Sequence, residues 1–295
     1  MPERPPVVLT IAGFDPSSGA GVTADIKTIA AHACYGVACI TAMTVQSTSG
    51  VRRAEPVNPT LLTESLEELA SDVEIAAVHI GMLGSGKIVG ALADFLLGEA
   101  GNHARSGSPD RPIKARLRNI VLDPILKSSS GADLLDASGT RLMIERLIPL
   151  ADVITPNVAE AAAITGIKIK EIAEMKTAAA KLHEMGAPAV VITGGDLEKA
   201  IDLLSFTTGR GIAQEVFKAE RQRSHSTHGT GCAFATAMAC HLALDHGLAE
   251  AALLAKTYVT AAISYGYPLG HGIGPVHHLY RMTQQRRAAG SGSES

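Results

Sequence analysis

The sequence predicts an α/β fold in which a mainly parallel β-sheet is covered by helices on both faces. Short apolar segments alternate with longer helix-like segments along most of the chain. The apolar segments are hydrophobic nearly throughout, whereas a strand with one solvated face alternates polar and apolar residues. Each of them ends in a polar or glycine-containing turn. These three observations favour strands that are buried on both faces and joined by crossover helices.

The predicted elements follow one another in a regular order. Residues 7–12 are a short β-branched run, residues 15–21 form a glycine-rich loop, and residues 22–31 have the pattern of a helix. This strand, loop and helix set the pattern for the rest of the chain. Further strands are predicted at residues 37–45, 76–80, 120–123, 152–155 and 189–193. Helices are predicted at residues 59–70, 87–97, 138–147, 158–165 and 170–185, and a long alanine-rich helix at residues 233–244.

The composition limits the classes of protein to which the chain can belong. Of its 295 residues, 46% are hydrophobic and 19% are charged, which argues against a disordered or fibrous protein. We interpret residues 1–285 as a single domain. Residues 98–118, rich in glycine, serine, proline and arginine, are predicted to be an exposed insertion, and residues 286–295 a flexible C-terminal tail.

Charge, hydropathy and cysteine content argue against several kinds of partner. The formal net charge is -3 and the basic residues are scattered, so we expect no nucleic acid partner. No apolar run approaches the roughly 18 residues of a membrane span, and the N-terminus lacks a signal pattern, so we expect a cytoplasmic protein without membrane contact. The four cysteines form no Cys-x-x-Cys pair, which predicts reduced thiols and no tightly bound structural metal.

The ends of the strands predict where a ligand site lies, because the carboxyl ends of parallel strands face the ligand crevice of an open sheet. The most informative segment is Thr-His-Gly-Thr-Gly-Cys at residues 227–232, directly before the long helix. Its glycines allow backbone N–H groups to surround an anion, and the helix adds the positive end of its dipole. Cys232 lies in the first helical turn, where we expect a lowered thiol pKa and a thiolate base near neutral pH. The structural alternative is a glycine-rich turn with a buried cysteine.

Seven segments form a set of motifs along the chain. Residues 9–25 read LTIAGFDPSSGAGVTAD, and they are followed by TAMTVQSTSG at 41–50, IGML at 80–83, VLDP at 121–124, ITPN at 154–157 with Glu160, THGTGC at 227–232 and GHGIGPVHH at 270–278. In this order they resemble the hydroxymethylpyrimidine/phosphomethylpyrimidine kinases of the ribokinase-like superfamily. The resemblance covers nearly the whole chain.

This resemblance implies a ribokinase-like three-layer α/β/α sandwich with a small flap drawn from residues 44–53. It implies a kinase that uses ATP and Mg²⁺ to phosphorylate 4-amino-5-hydroxymethyl-2-methylpyrimidine and then its monophosphate, giving the diphosphate used in thiamine biosynthesis. A homodimer is implied as well. Related sugar and pyridoxal kinases usually carry aspartate at the position of Cys232, so the cysteine favours a pyrimidine substrate.

The resemblance also implies roles for individual residues. Cys232 would accept the proton of the hydroxymethyl group, while the backbone N–H groups of Gly229, Thr230 and Gly231 stabilise the transferred phosphoryl group. The alternative is that the phosphate itself takes the proton. The residues expected to contact the pyrimidine are Gly13, Ala20, Asp25, Thr44, Gln46, Met82 and Ile125. Those expected to contact the nucleotide or magnesium are Asp123, Asn157, Glu160, Thr193 and Thr227.

Some of these residues also have a purely structural interpretation. Asp25 fits an exposed acid of the first helix, Met82 fits core packing, and Asn157 fits a helix N-cap that could coexist with metal binding. Many relatives carry lysine in place of Thr193, and a threonine offers only a hydroxyl, so the balance of phosphate charge stays open. Three histidines near the C-terminus are expected to be structural: His271, His277 and His278.

Three other functions are compatible with parts of the sequence. A pyridoxal, pyridoxine or pyridoxamine kinase is the main alternative, because it shares the fold and phosphorylates a similar hydroxymethyl group. A catalytically silent nucleotide-binding protein is disfavoured because the anion loop and Cys232 are intact. A dinucleotide-dependent oxidoreductase is disfavoured because Gly19-Ala20-Gly21 does not continue as Gly-x-Gly-x-x-Gly.

Overall fold

A mixed β-sheet with helices on both sides forms the framework of the chain. The computed structural model describes residues 4–98, 117–195, 200–218 and 224–283. The strands are β1 (Val7–Phe14), β2 (Tyr35–Ser47), β3 (Gly50–Pro56), β4 (Ile75–Ile80), β5 (Ile120–Leu122), β6 (Val153–Ile154), β7 (Ala189–Ile192), β8 (Ile201–Thr208) and β9 (Gly211–Lys218). The helices are α1 (Gly21–Ala31), α2 (Pro59–Asp72), α3 (Gly86–Leu97), α4 (Ala137–Leu142), α5 (Val158–Thr165), α6 (Ile172–Glu184), α7 (Thr230–Ala243) and α8 (Leu248–Ser264). The predicted tail at 286–295 and nearly all of the predicted insertion at 98–118 lie outside the described residues.

The sheet is parallel in its centre and antiparallel at both edges. Its strand order is β3-β2-β1-β4-β5-β6-β7-β8-β9. All neighbours from β2 through β7 pair in parallel, whereas β3 pairs antiparallel with β2, β8 with β7, and β9 with β8. The predicted α/β class with a mainly parallel sheet is therefore confirmed, and the antiparallel strands are hairpins added at the two edges.

Two apolar clusters, one on each face of the sheet, give the fold its three layers. In β1, Leu9 and Ile11 pack into the cluster that contains α2, α3, α5 and α6, while Val8 packs into the cluster that contains α1, α7 and α8. Successive side chains of a strand point to opposite faces, so a strand buried on both faces is apolar at nearly every position. The polar exception in β1 is Thr10, which donates a hydrogen bond to Asp25. Each fully buried leucine or isoleucine contributes about 1.5–3 kcal/mol to folding. None of the helices in the described ranges is long and apolar enough to cross a membrane.

The structure contains elements that the sequence pattern did not predict. The β8–β9 hairpin and helix α8 follow the last predicted strand and helix, respectively. β9 is largely exposed at the sheet edge, and six of the twelve apolar residues of α8 are alanine, so both give a weak periodic signal. The helix predicted at 138–147 is α4 followed by a π-helical turn at Met143–Leu147.

The second strand extends beyond the main sheet and forms the predicted flap. Up to Met43, β2 pairs with β1, and from Ala42 onward it pairs antiparallel with β3. The distal part of β2, the turn at Thr48 and Ser49, and the first half of β3 therefore form a hairpin, which we call the flap.

Three buried histidines lie together on the α1, α7 and α8 side of the sheet: His32, His241 and His278. The His32 and His241 rings make an edge contact with their centroids 4.9 Å apart, and His278 Nδ1 lies 3.0 Å from Thr28 Oγ1. Their titratable or charged neighbours include Asp25, Lys27, Cys34, Cys240, His246, Tyr258, His277, Tyr280 and Arg281. Burial lowers the pKa of each of the three histidines to about 4, so all three are neutral at pH 7.

Candidate active site

One large cavity runs along the carboxyl ends of the parallel strands. Its volume is about 1440 Å³, and it extends from the flap across the loop before α7 to the end of β7. The predicted site residues that line it are Gly13, Ala20, Thr44, Gln46, Met82, Asp123, Ile125, Asn157, Glu160, Thr193, Thr227, Gly229, Thr230, Gly231 and Cys232. The sheet therefore brings together residues from the turns after β1, β4, β5, β6 and β7, as expected for an open parallel sheet.

The loop before α7 has the geometry of an anion site. Gly229 is the N-cap and has φ 83°, a left-handed conformation that favours glycine. A Cβ at this position would overlap the Gly19 carbonyl oxygen, so the loop packs directly against the β1–α1 loop. The first backbone N–H groups of an α-helix have no acceptor within the helix, and α7 begins at Thr230. Thr230 N–H donates to the Thr227 carbonyl oxygen at 3.3 Å in this structure, and residues 229–231 line the cavity at the positive end of the helix dipole, where a phosphate is favoured.

The thiol of Cys232 does not have the lowered pKa that its position at a helix start predicted. Burial, together with the negative charges of Asp123 and Asp25, raises the pKa of this thiol well above its usual range. A hydrogen bond from the Gly21 backbone N–H lowers the pKa but does not outweigh these effects. In the ligand-free protein Cys232 is therefore a neutral thiol at pH 7, and the expectation of a thiolate at rest is wrong.

Asp25 is the one predicted pyrimidine contact that the structure does not place in the cavity. Its side chain is fully buried, and Asp25 does not line the cavity. The carboxylate accepts hydrogen bonds from Thr10 Oγ1 at 2.7 Å and Thr236 Oγ1 at 2.8 Å, and His79 Nδ1 lies 3.4 Å away. Both carboxylate oxygens are used inside the core, so the structure does not place Asp25 where the expected pyrimidine contact would lie, and Asp25 is not exposed on α1. Its charge acts on the cavity only through its effect on the pKa values of Asp123 and Cys232.

The start of α5 holds two of the residues expected to organise magnesium. Asn157 is its N-cap: Glu160 N donates to Asn157 Oδ1 at 2.9 Å, and Asn157 N donates to Glu160 Oε2 at 2.9 Å. This capping box confirms the structural alternative for Asn157. Burial, the Glu160 carboxylate and the Asp25 carboxylate raise the pKa of Asp123 well above its usual range.

A crowded pair of carboxylates facing the cavity suits a hard cation, and Asp123 and Glu160 both line it. Within the described ranges, however, no cluster of three or more His, Cys, Asp or Glu side chains could hold a metal ion alone. These donors therefore fit a Mg²⁺ ion that arrives with nucleotide phosphates, because such an ion needs only one or two carboxylates and keeps several waters.

Lys256 on α8 is a cavity residue that the sequence analysis missed. Its Nζ lies 2.6 Å from Asp202 Oδ2, and Asp202 Oδ1 accepts a hydrogen bond from Gly194 N at 3.0 Å. The pair therefore places a lysine beside the loop that contains Thr193 and Gly194. No local signal marked this residue, because α8 itself was not predicted.

Asp15 and His228 are a second pair that the sequence analysis left unused. His228 Nε2 lies 2.9 Å from Asp15 Oδ2 and joins the anion loop to the β1–α1 loop. Burial alone would raise the pKa of Asp15, but hydrogen bonds from His228 and Ser17 outweigh it and lower the pKa. Both residues lie inside the motifs at 9–25 and 227–232, so their position could have suggested them.

The glycine-rich loop at residues 270–274 joins the flap to the anion loop. Gly272 N donates to Thr48 Oγ1 at 3.2 Å and Ile273 N to Thr48 O at 3.1 Å. On its other side, His228 N donates to Gly274 O at 3.0 Å. His278, just beyond this loop, is buried, in agreement with the structural role expected for it.

The anion loop at the start of α7, the Asp123 and Glu160 carboxylates and a compartment covered by the flap lie together at one edge of the sheet. This fold and this cavity define a small-molecule phosphotransferase. The sequence matches the family described as phosphomethylpyrimidine kinase over residues 15–105 and 110–277. The chain belongs to this family, and the resemblance drawn from its motifs is confirmed.

Similar proteins include both stand-alone and fused enzymes. A thiamine biosynthesis bifunctional protein of Geobacter sulfurreducens is 39% identical over 92% of this chain and 52% of its own length. The chain thus spans about half the length of that relative. A hydroxymethylpyrimidine/phosphomethylpyrimidine kinase of Haemophilus influenzae is 37% identical over 92% of this chain and 96% of its own.

Solved structures confirm the ribokinase-like fold. The ADP complex of Bacillus subtilis pyridoxal kinase has a TM-score of 0.79 and 31% identity, covering 94% of this chain and 99% of that one. The phosphomethylpyrimidine kinase of Clostridium difficile 630 has a TM-score of 0.72 and 35% identity, covering 88% and 99%. The chain is therefore nearer in shape to the first structure and nearer in sequence to the second.

Proposed function

We propose that this protein phosphorylates the hydroxymethyl group of 4-amino-5-hydroxymethyl-2-methylpyrimidine with ATP, and then phosphorylates the monophosphate to the diphosphate, in thiamine biosynthesis. The observation that carries this proposal is one cavity in which Gln46 and Cys232 lie with the anion loop at Gly229. An amide suits an aminopyrimidine, and the loop suits a phosphate. The names of the relatives in the family support the same substrate.

The nucleotide is proposed to occupy the part of the cavity between α7, α8 and the end of β7. The structure of the related Bacillus subtilis enzyme contains ADP, which supports nucleotide binding here. Thr193 and Thr227 line this part, and Lys256 adds a cation beside Gly194. Asp123 and Glu160 would hold Mg²⁺, and the chemistry that this ion would supply when bound is neutralisation of phosphate charge.

Transfer is proposed to depend mainly on positioning. The N–H groups of Gly229, Thr230 and Gly231 would surround the oxygens of the transferred phosphoryl group, and the flap would exclude water. The Cys232 thiol would lie beside the attacking hydroxyl. Because its pKa is raised in the free protein, direct loss of the proton to a phosphate oxygen is favoured over a resting thiolate base.

The dependence of kcat/KM on pH separates these two proton acceptors. If a Cys232 thiolate is the base, kcat/KM should rise about tenfold per pH unit between about pH 7 and 9, because the thiol must first ionise. If phosphate accepts the proton, kcat/KM should stay nearly constant across this range. Cys232→Ser should then keep a large part of the turnover, whereas under the thiolate mechanism it should lose about a hundredfold or more.

A pyridoxal kinase is the second candidate, and the higher TM-score to the Bacillus subtilis enzyme favours it. The test is an ADP-release assay with Mg-ATP and four acceptors: hydroxymethylpyrimidine, its monophosphate, pyridoxal and ribose. Turnover on both pyrimidines above pyridoxal is expected. Preference for pyridoxal would select the second candidate, and lack of turnover on all four would exclude both.

Three further proposals follow, of which the homodimer rests on the family resemblance alone. We propose that residues 1–285 act as one domain, that two copies form a homodimer, and that the protein acts in the cytoplasm. Size-exclusion chromatography with light scattering tests the second: a mass near twice 30.6 kDa is expected, and a mass near 30.6 kDa would contradict it.

A further inference from the structure

The amide of Gln46 lies between two polar neighbours at the cavity wall. One end of the amide lies 3.1 Å from Thr44 Oγ1, and the other lies 3.3 Å from His228 Nε2. Thr44 Oγ1 also lies 2.9 Å from the Phe14 carbonyl oxygen, and His228 Nε2 lies 2.9 Å from Asp15 Oδ2. The oxygen and nitrogen of an amide have similar size and electron density, so these hydrogen bonds decide which end is which.

Counting protons gives the orientation of the amide. The Phe14 carbonyl can only accept, so the single hydroxyl proton of Thr44 points to it and Thr44 Oγ1 must accept from Gln46. An ionised Asp15 carboxylate also can only accept, so His228 Nε2 carries a proton and cannot accept from Gln46. Both ends therefore require the same arrangement, with the Gln46 nitrogen beside Thr44 and its oxygen beside His228. This arrangement exchanges the amide oxygen and nitrogen relative to the alternative with Oε1 3.1 Å from Thr44 Oγ1 and Nε2 3.3 Å from His228 Nε2.

An amide held in this way leaves one N–H and at least one oxygen lone pair for a ligand. The edge of an aminopyrimidine offers an amino donor next to a ring-nitrogen acceptor, which matches such a pair. Pyridoxal instead offers a phenolic oxygen next to an aldehyde oxygen, so at neutral pH two acceptors meet one donor. The amide can form two hydrogen bonds with the aminopyrimidine edge but only one with the pyridoxal edge.

We propose that Thr44, together with the Asp15–His228 pair, fixes the Gln46 amide in one orientation and thereby makes Thr44 a specificity-determining residue for an aminopyrimidine over a hydroxypyridine aldehyde. This inference rests on the proposed function for its choice of substrates. Thr44 acts through Gln46 and is a positioning residue.

The orientation can be measured without turnover. In ¹⁵N-labelled protein, the Gln46 side-chain NH₂ protons should show NOE contacts to the Thr44 methyl group, because the nitrogen lies on that side. Contacts to the His228 ring Hε1 proton in their place would overturn the proposal, whatever the protein phosphorylates. The Gln46→Glu variant identifies the resonance by its disappearance.

Kinetics test the consequence for specificity. Thr44→Val keeps the size and β-branching of the side chain but removes the acceptor for the Gln46 nitrogen. It should raise KM for hydroxymethylpyrimidine about tenfold or more, with kcat changed only a few-fold, because a polar partner is lost in the bound state. The ratio of kcat/KM for the pyrimidine to that for pyridoxal should fall at least about fivefold. Thr44→Ser restores the hydroxyl and should recover the ratio.

Thr207→Val is the matched control, because it removes a hydroxyl from an exposed position of β8 outside the cavity. It should leave the ratio unchanged. An unchanged ratio in Thr44→Val, in an otherwise active enzyme, would overturn the specificity proposal. If the unmodified protein phosphorylates neither pyrimidine, the proposed function fails, and the NOE measurement still decides the orientation of the amide.

Discussion

Replacing Gly229 with alanine tests whether the anion loop depends on its left-handed N-cap. At φ 83° an L-residue costs about 1–2 kcal/mol relative to glycine. The new Cβ would also overlap the Gly19 carbonyl oxygen, so either the β1–α1 loop or the start of α7 must move. Forcing extra atoms into a packed region typically costs about 1–3 kcal/mol. The expected loss of stability is therefore about 2–5 kcal/mol.

Equilibrium unfolding in urea measures this loss directly. With a slope of about 3 kcal/mol per molar urea, a loss of 3 kcal/mol lowers the midpoint by about 1 M. The kcat/KM for Mg-ATP should fall about tenfold or more, because the displaced N–H groups no longer match the phosphate. Since the strain is local, the far-UV circular dichroism spectrum should stay close to that of the unmodified protein.

Gly231 provides a matched control in the same loop. Its φ lies outside the left-handed region, and a Cβ there would meet only Asp123 Oδ2, at 3.9 Å. Gly231→Ala should therefore be neutral or stabilising by up to about 1 kcal/mol, because alanine is the better helix former. If Gly229→Ala unfolds at the same urea concentration as Gly231→Ala, the argument from backbone conformation and close approach is refuted.

The remaining predictions concern three other parts of the fold. The three buried histidines have folded pKa values of about 4, below the unfolded value of 6.5, so their contribution to stability is complete above pH 6.5 and is lost as the pH falls toward 4. His241→Leu removes one of these titrating groups. Between about pH 4.5 and 6, the slope of the unfolding free energy plotted against pH should therefore fall by about 1.4 kcal/mol per pH unit, and an unchanged slope would contradict this. Gly272→Ala would place a Cβ on the Thr48 carbonyl oxygen and so disrupt the contact between the flap and the loop at residues 270–274. Trypsin should therefore cleave the flap faster than in the unmodified protein, and equal rates would argue against this contact. Lys256→Met removes the cationic partner of the buried Asp202 and should lower the free energy of unfolding, measured with heat or urea, by about 3 kcal/mol. Adding Asp202→Leu in a double variant should restore most of this loss.

Most of the cavity could be predicted from the order of the strands. Parallel strands run in one direction, so the turns after β1, β4, β5, β6 and β7 had to meet at one edge of the sheet once these strands were recognised. Gln46 and Asp123 follow from this rule without any knowledge of side-chain contacts, whereas the loop at Gly229 was predicted from its glycines and from the helix that follows it. The α/β class followed equally directly from the uniformly apolar strands.

The features that could not be predicted depend on contacts between distant parts of the chain. The Asp25 carboxylate binds Thr236, 211 residues away, and no local pattern distinguishes that buried acid from a cavity residue. The pKa of Cys232 is set by burial and by Asp123 more than by its own helix. Lys256 acquires its place in the cavity only because α8 packs beside the unpredicted β8–β9 hairpin.

Residues from the two ends of the chain meet at the cavity and behind it. Hydrogen bonds join Asp15 to His228 across 213 positions, Thr48 to Gly272 across 224, and Thr28 to His278 across 250. Contacts over such separations form late in folding, because the long intervening loop must close before the contact stabilises anything. On the ribosome, the nascent chain can therefore build most of its central strands before it has a place to bind substrate. Messages that end before the codons for residues 270–278 should yield chains with much of the sheet and no kinase activity.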